Sequence, residues 1–196
     1  MLADETDERL MQRFQGGDER AFEVLVHRHR TPVFSFLVRL TGDRARAEDL
    51  CQEAFLRVVR AADDWKPKAP FRTWLYSIAR NQAVDEARRQ TFRRAEPLDG
   101  AASSAASDDP APDRSADAAL VRPKLEAALT SLPDEQREVF LLREHAGLRF
   151  HEIAEVTGTP VNTVKSRMRY ALESLREKLV ALGVDPSEGA QRSAAP

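Results

Sequence analysis

One cysteine, Cys51, stands in 196 residues, so no intrachain disulfide can brace this chain and a reducing compartment suits it. No apolar run approaches the length that spans a bilayer, and the first residues are acidic where a signal peptide needs positive charge. Both observations argue for a cytoplasmic protein without direct membrane insertion. Net charge is nearly absent as well, with 30 Lys and Arg against 32 Asp and Glu. Gripping a polyanion unaided is therefore excluded unless the basic residues are gathered locally. Alternating strand patterns with hairpin signals are missing, which leaves an all-α fold. Metal chemistry is poorly provided for: His27 and His29 fall on different sides of a helix, and no Cys or carboxylate cluster completes a set. His29 lies on an apolar stripe, the place of a packed, hydrogen-bonded histidine. No nucleophile, base and metal ligand converge, so neither an enzyme nor a cofactor is implied.

The basic residues are gathered. Arg72, Arg80, Arg88, Arg89, Arg93 and Arg94 make one cluster, and Lys165, Arg167, Arg169, Arg176 and Lys178 a second. The second belongs to the most informative stretch, Leu148 to Leu179, where two helical patterns meet across Thr157, Gly158, Thr159 and Pro160. Gly suits a left-handed helix end, and Thr-Pro supplies an N-cap followed by a first helical position. Val161, Val164, Met168, Leu172, Leu175 and Leu179 commit one face of the second helix to a core, while Asn162, Thr163, Lys165, Ser166, Arg167 and Arg169 crowd its first turns. This is a helix-turn-helix, and DNA is its expected partner.

The rest divides by composition. Residues 95–119, AEPLDGAASSAASDDPAPDRSADAA, hold almost no large apolar side chains and read as a flexible acidic linker. Some 25 residues reach at most about 80 Å. Before it, a short helix from Asp7 to Gln15 precedes a second that Asp18 caps, with Pro32 a kink. A third runs from about Arg44 to Ala62, buried through Leu50, Ala54, Phe55, Val58 and Val59, and leaves Glu48, Asp49, Gln52, Glu53 and Arg57 for solvent or a partner. A fourth starts near Phe71. After the linker, helices from Leu120 to about Thr130 and from Pro133 to His145 lead to the helix-turn-helix.

GDERAFEVLVHRH from Gly17, AEDLCQEAFLRVVRA from Ala47, FRTWLYSIARNQAVDEARR from Phe71 and SLPDEQREVFLLREHAGLRFHEIAEVTGTPVNTVKSRM from Ser131 together resemble the extracytoplasmic-function sigma factors of bacterial RNA polymerase. That resemblance implies two small helical domains: a sigma2 helical bundle over residues 1–94 and a sigma4 helix-turn-helix over 120–182, with a disordered tail at 183–196. It implies core RNA polymerase, promoter DNA and an anti-sigma factor as partners, and no catalytic site. Asp49, Gln52 and Glu53 would dock on the polymerase, although periodicity alone favours a solvated acidic face. The -10 element would meet Trp65, Lys66, Lys68, Asn81, Arg88 and Arg89, with Trp65 at the loop edge as the stacking surface and Trp74 in the core. The -35 element would meet Asn162, Thr163, Lys165, Ser166, Arg167 and Arg169. A DNA-binding regulator sharing the C-terminal motif is the competing class, but it would need a strand-bearing receiver that this N-terminal half lacks.

Overall fold

The computed structural model describes residues 2–95 and 116–184, which include eight α-helices and no strand. After a 3-10 turn at Leu2–Asp4, α1 spans Asp7–Gln15, α2 Glu19–Thr41, α3 Arg44–Arg60 and α4 Phe71–Ala95. Then follow α5 (Ala116–Thr130), α6 (Asp134–Glu144), α7 (Phe150–Thr157) and α8 (Val161–Ala181). Helix α5 begins four residues inside the stretch expected to be linker; residues 96–115 of that stretch and 185–196 of the expected tail lie outside the described residues.

Local chemistry sets most of these boundaries. Thr6 and Asp43 accept hydrogen bonds from the backbone N–H of Arg9 (3.3 Å) and Arg46 (3.1 Å), capping α1 and α3. Asp18 precedes α2 as expected but makes no capping bond with its side chain. Arg13 takes that carboxylate instead, with Nη2 at 2.6 Å and Nε at 2.9 Å. Both guanidinium donors converge on Oδ2, and this ion pair holds the side chain in place of a capping bond. Helix α2 runs through Pro32, which lies on its exposed side, and ends at Gly42 with φ of 68°.

Helices α2, α3 and α4 build the first core. Val33, Phe36 and Leu37 meet Ala54 and Val58 on one side and Leu75 and Tyr76 on the other, all fully or almost fully buried. The Phe36 and Tyr76 rings pack edge to face at 5.2 Å. Helix α1 closes this core with Leu10 and Met11, and its acidic first turn ties three helices together. Asp7 receives Arg28 Nη1 and contacts His29 Nε2, each at 2.7 Å. Burial alone would raise the Asp7 carboxyl, but the hydrogen bonds from His29 and Arg28 outweigh it and hold the group below its ordinary value. His29 is thus the packed histidine expected, 5.5 Å from the Phe71 ring. Glu8 Oε1 accepts the Phe71 N–H at 3.0 Å, so α1 satisfies one of the open donors at the start of α4 from 63 residues away.

Cys51 sits in this core at 4% exposure, where desolvation pushes its thiol up to about 11 despite the opposing charge of Arg30. A thiol reagent at pH 8 is therefore expected to leave the native chain unmodified and to label one equivalent once denaturant is added. Prompt labelling in native buffer would show that this part of the core opens readily.

In the C-terminal half, Gly158 takes φ of 65° and ends α7. Pro160, not Thr159, occupies the N-cap of α8: its ψ of 141° keeps it outside the helix. The Thr159 hydroxyl turns to the Thr157 carbonyl (3.4 Å) and accepts from Arg167 (3.3 Å). The buried row of α8 is Val164, Met168, Ala171 and Leu175. Leu172, expected in the core, is 49% exposed, because the small Ala171 faces Ala128 and Leu129 and lets α5 approach closely.

The two halves also touch. Helix α4 packs on α7, α2 packs on α6, and a single apolar cluster runs from Leu10 to Met168 through both. Composition had suggested tethered modules with separate cores.

Candidate nucleic-acid interface

Three surfaces carry the residues singled out by sequence. The first is the outer side of α3. Asp49 and Gln52 are exposed there, and Glu53 holds Arg57 (3.4 Å) and Arg60 (3.2 Å). Leu56 and Val59 continue the same side at 49% and 41% exposure. Val59 was expected inside; the buried row passes instead through Cys51, Ala54, Phe55 and Val58. An acidic stripe that continues into two bare aliphatic side chains fits a partner better than it fits solvent.

The second surface is a shallow cleft of about 480 Å³ lined by Ala61, Asp64, Trp65, Lys66, Lys68, Ala69 and Trp74. Gln15 braces its loop by donating to the carbonyls of Ala62 (2.8 Å) and Trp65 (2.9 Å). The burial of the two tryptophans is the reverse of that expected. Trp65 is 7% exposed, wedged between Phe71 (6.5 Å) and Trp74 (6.1 Å), whereas Trp74 is only half-buried. A loop-edge position cannot reveal this, because the loop folds back over the start of α4. Lys66 and Lys68 are exposed at the rim, and on α4 beyond it Asn81, Arg88 and Arg89 are exposed too. Arg80, between them, is spoken for: its Nε donates to Glu138 of α6 at 2.7 Å.

The third surface is the start of α8, with Asn162, Thr163, Lys165, Ser166 and Arg169 all exposed. Arg169 holds its guanidinium 4.9 Å from the Tyr170 ring centroid, and Ser166 donates to the Asn162 carbonyl (3.0 Å). Arg167 is different. Its Nη2 donates to Glu135 Oε2 at 2.5 Å, across to the first turn of α6, and Nη1 donates to the Thr159 hydroxyl, so its guanidinium is already engaged in the free chain. Sequence periodicity missed that pairing, the two aliphatic side chains on α3, and every contact between the halves.

The matches to known proteins follow the same division. Residues 25–93 match the family model for sigma-70 region 2, and residues 122–175 that for sigma-70 region 4. The RNA polymerase sigma-H factor of Pseudomonas aeruginosa is 35% identical over 93% of this chain and 98% of its own length. The chain belongs to the extracytoplasmic-function sigma factors. This sigma factor is also 33% identical to the ECF RNA polymerase sigma-E factor of Escherichia coli, over 90% of the one chain and 96% of the other. Two solved structures share its fold. CnrH in complex with the cytosolic domain of CnrY superposes with a TM-score of 0.67 at 28% identity, covering 90% of this chain and 99% of that one. RpoE of Bartonella quintana in complex with the anti-sigma factor NepR gives 0.71 at 25% identity, covering 81% and 96%. As a sigma factor the protein is a transcription initiation factor that works with RNA polymerase at promoters. No helix among its described residues is long and apolar enough to cross a membrane.

Proposed function

We propose that this sigma factor distributes its work over the three surfaces in the cytoplasm. Asp49, Gln52 and Glu53, extended by Leu56 and Val59, dock on core RNA polymerase. The cleft with Lys66, Lys68 and Trp74, continued by Asn81, Arg88 and Arg89, receives the -10 element. Asn162, Thr163, Lys165, Ser166 and Arg169 read the -35 element from the major groove. The observation that carries this reading is the two-sided character of α8: Val164, Met168, Ala171 and Leu175 are buried while Asn162, Thr163, Lys165, Ser166 and Arg169 stand clear. Sequestration by an anti-sigma factor under envelope stress is part of the proposal, and it is supported by the anti-sigma partner in the Bartonella quintana relative. Residues 1–94 and 120–182 would be the working domains.

Reconstitution tests the whole. Adding the purified chain to sigma-free core polymerase is expected to start transcripts at defined promoters, and duplex binding that ignores the presence of core would favour a free-standing regulator. The docking surface is tested separately by reversing charge at Asp49 and Glu53. That double variant is expected to weaken core association by about 2 kcal/mol, roughly thirtyfold, in a titration of labelled chain into core. Equal affinity before and after would remove α3 from the interface.

A further inference from the structure

Asp64 contributes the single carboxylate to a cleft otherwise walled by two lysines, two tryptophans and two alanines. Its side chain and those of Lys66 and Lys68 are exposed and make no hydrogen bond or ion pair with any described residue. The backbone around Asp64 is, by contrast, held on both sides. Ala62 and Trp65 are 4% and 7% exposed, and their carbonyls both accept from the Gln15 amide, at 2.8 and 2.9 Å. The Trp65 N–H also closes a turn onto the Ala62 carbonyl at 3.0 Å. A polar group without a partner, on a fixed stretch of backbone and in one cleft with an aromatic ring, is suited to recognition because little ordering is left to do on binding.

A carboxylate is out of place in a cleft for phosphate alone. Lys66 and Lys68 attract the backbone of any strand, and a negative charge beside them weakens that attraction. What an acceptor-only group adds is selectivity. A base that enters with its Watson–Crick edge free is read by hydrogen bonds to that edge and by stacking on an aromatic ring, which half-buried Trp74 provides. Adenine, cytosine and guanine each offer an exocyclic amino group to an acceptor. Thymine does not: the one N–H on that edge stands between two carbonyl oxygens, which a carboxylate repels. Cytosine and thymine are nearly equal in size, so the apolar walls discriminate poorly and the choice falls to amino group against carbonyl at ring position 4. We propose that Asp64 is a specificity-determining residue of the cleft, accepting from the amino group of one unstacked -10 base and excluding thymine there. This rests on the reading that the cleft receives the -10 element.

The test is made on holoenzyme assembled from core polymerase and the full-length chain, with a promoter library randomised over the -10 element and the transcribed templates sequenced. Wild type is expected to favour cytosine over thymine about tenfold at one position, within the range for a good polar contact to a base. Asp64→Asn, whose amide donates as well as accepts, is expected to take thymine nearly as well as cytosine at that position and to leave the other positions unchanged. Asp64→Ala is expected to lose the same preference. The site is exposed and unpaired, so both variants should match wild type in thermal melting and core binding. At the responsive position 5-methylcytosine, which has thymine's outline and cytosine's amino group, is expected to behave as cytosine. One profile shared by all three chains overturns the proposal, and so does a gain of thymine spread evenly over the element. A photocrosslinking residue in place of Lys66 separates the causes: a crosslink to the -10 strand beside an unchanged profile leaves the cleft reading standing and Asp64 alone wrong, and no crosslink removes the reading beneath it.

Discussion

Replacing Lys165 and Arg169 together by alanine is expected to lower promoter affinity of the holoenzyme about 150-fold, roughly 3 kcal/mol, because each good basic contact to a base edge is worth about 1–3 kcal/mol. Both side chains are exposed on the first turns of α8, and neither Val164 nor Met168 on the buried side is disturbed by their removal. Core association and the melting temperature of the free chain are expected to stay near wild type. The measurement is a filter-binding or footprinting titration at fixed salt, since the phosphate part of the loss shrinks as salt rises. Arg167→Ala should behave differently. It removes the half-exposed pair with Glu135 and the bond to Thr159, so it is expected to lower thermal stability slightly, by no more than about 1 kcal/mol, as well as affinity. Full retention of promoter affinity in the Lys165 and Arg169 double variant would move the recognition surface off α8.

Phe36→Ala is expected to destabilise the chain by about 3–5 kcal/mol, a large share of the 5–15 kcal/mol that holds a domain folded. Phe36 is fully buried, and its ring is the edge-to-face partner of Tyr76, so truncation empties the centre of the α2, α3 and α4 packing. The three helices carry the side of α3 proposed to dock on polymerase and the side of α4 proposed to meet DNA, and both functions should therefore fail together. Chemical denaturation followed by circular dichroism reads the loss directly. A midpoint within error of wild type would mean that the site collapses around the smaller side chain without cost.

Helix positions, and the exposure of most residues proposed to face DNA, were legible because each rests on signals within one helix. Gly42 and Gly158 stop helices through their left-handed backbones, Asp43 and Thr6 start them, and the spacing of Val164, Met168 and Leu175 marks an inner face. Errors arose wherever a second element chose between neighbouring positions. Leu172 lost its place to Ala171 because α5 needs room, and Trp65 turned inward because Phe71 and Trp74 receive it. Asp18 was diverted from its capping place by Arg13. The meeting of the halves was beyond periodicity altogether. Glu138 and Glu152 look like ordinary solvated acids until Arg80 and Thr73, 58 and 79 residues away, are brought to them.

Only twenty residues separate Ala95 at the end of α4 from Ala116 at the start of α5. The contact between α4 and α7 and the apolar cluster from Leu10 to Met168 are therefore made within one chain. A meeting of this kind is first-order, so its stability does not depend on how many copies a cell contains.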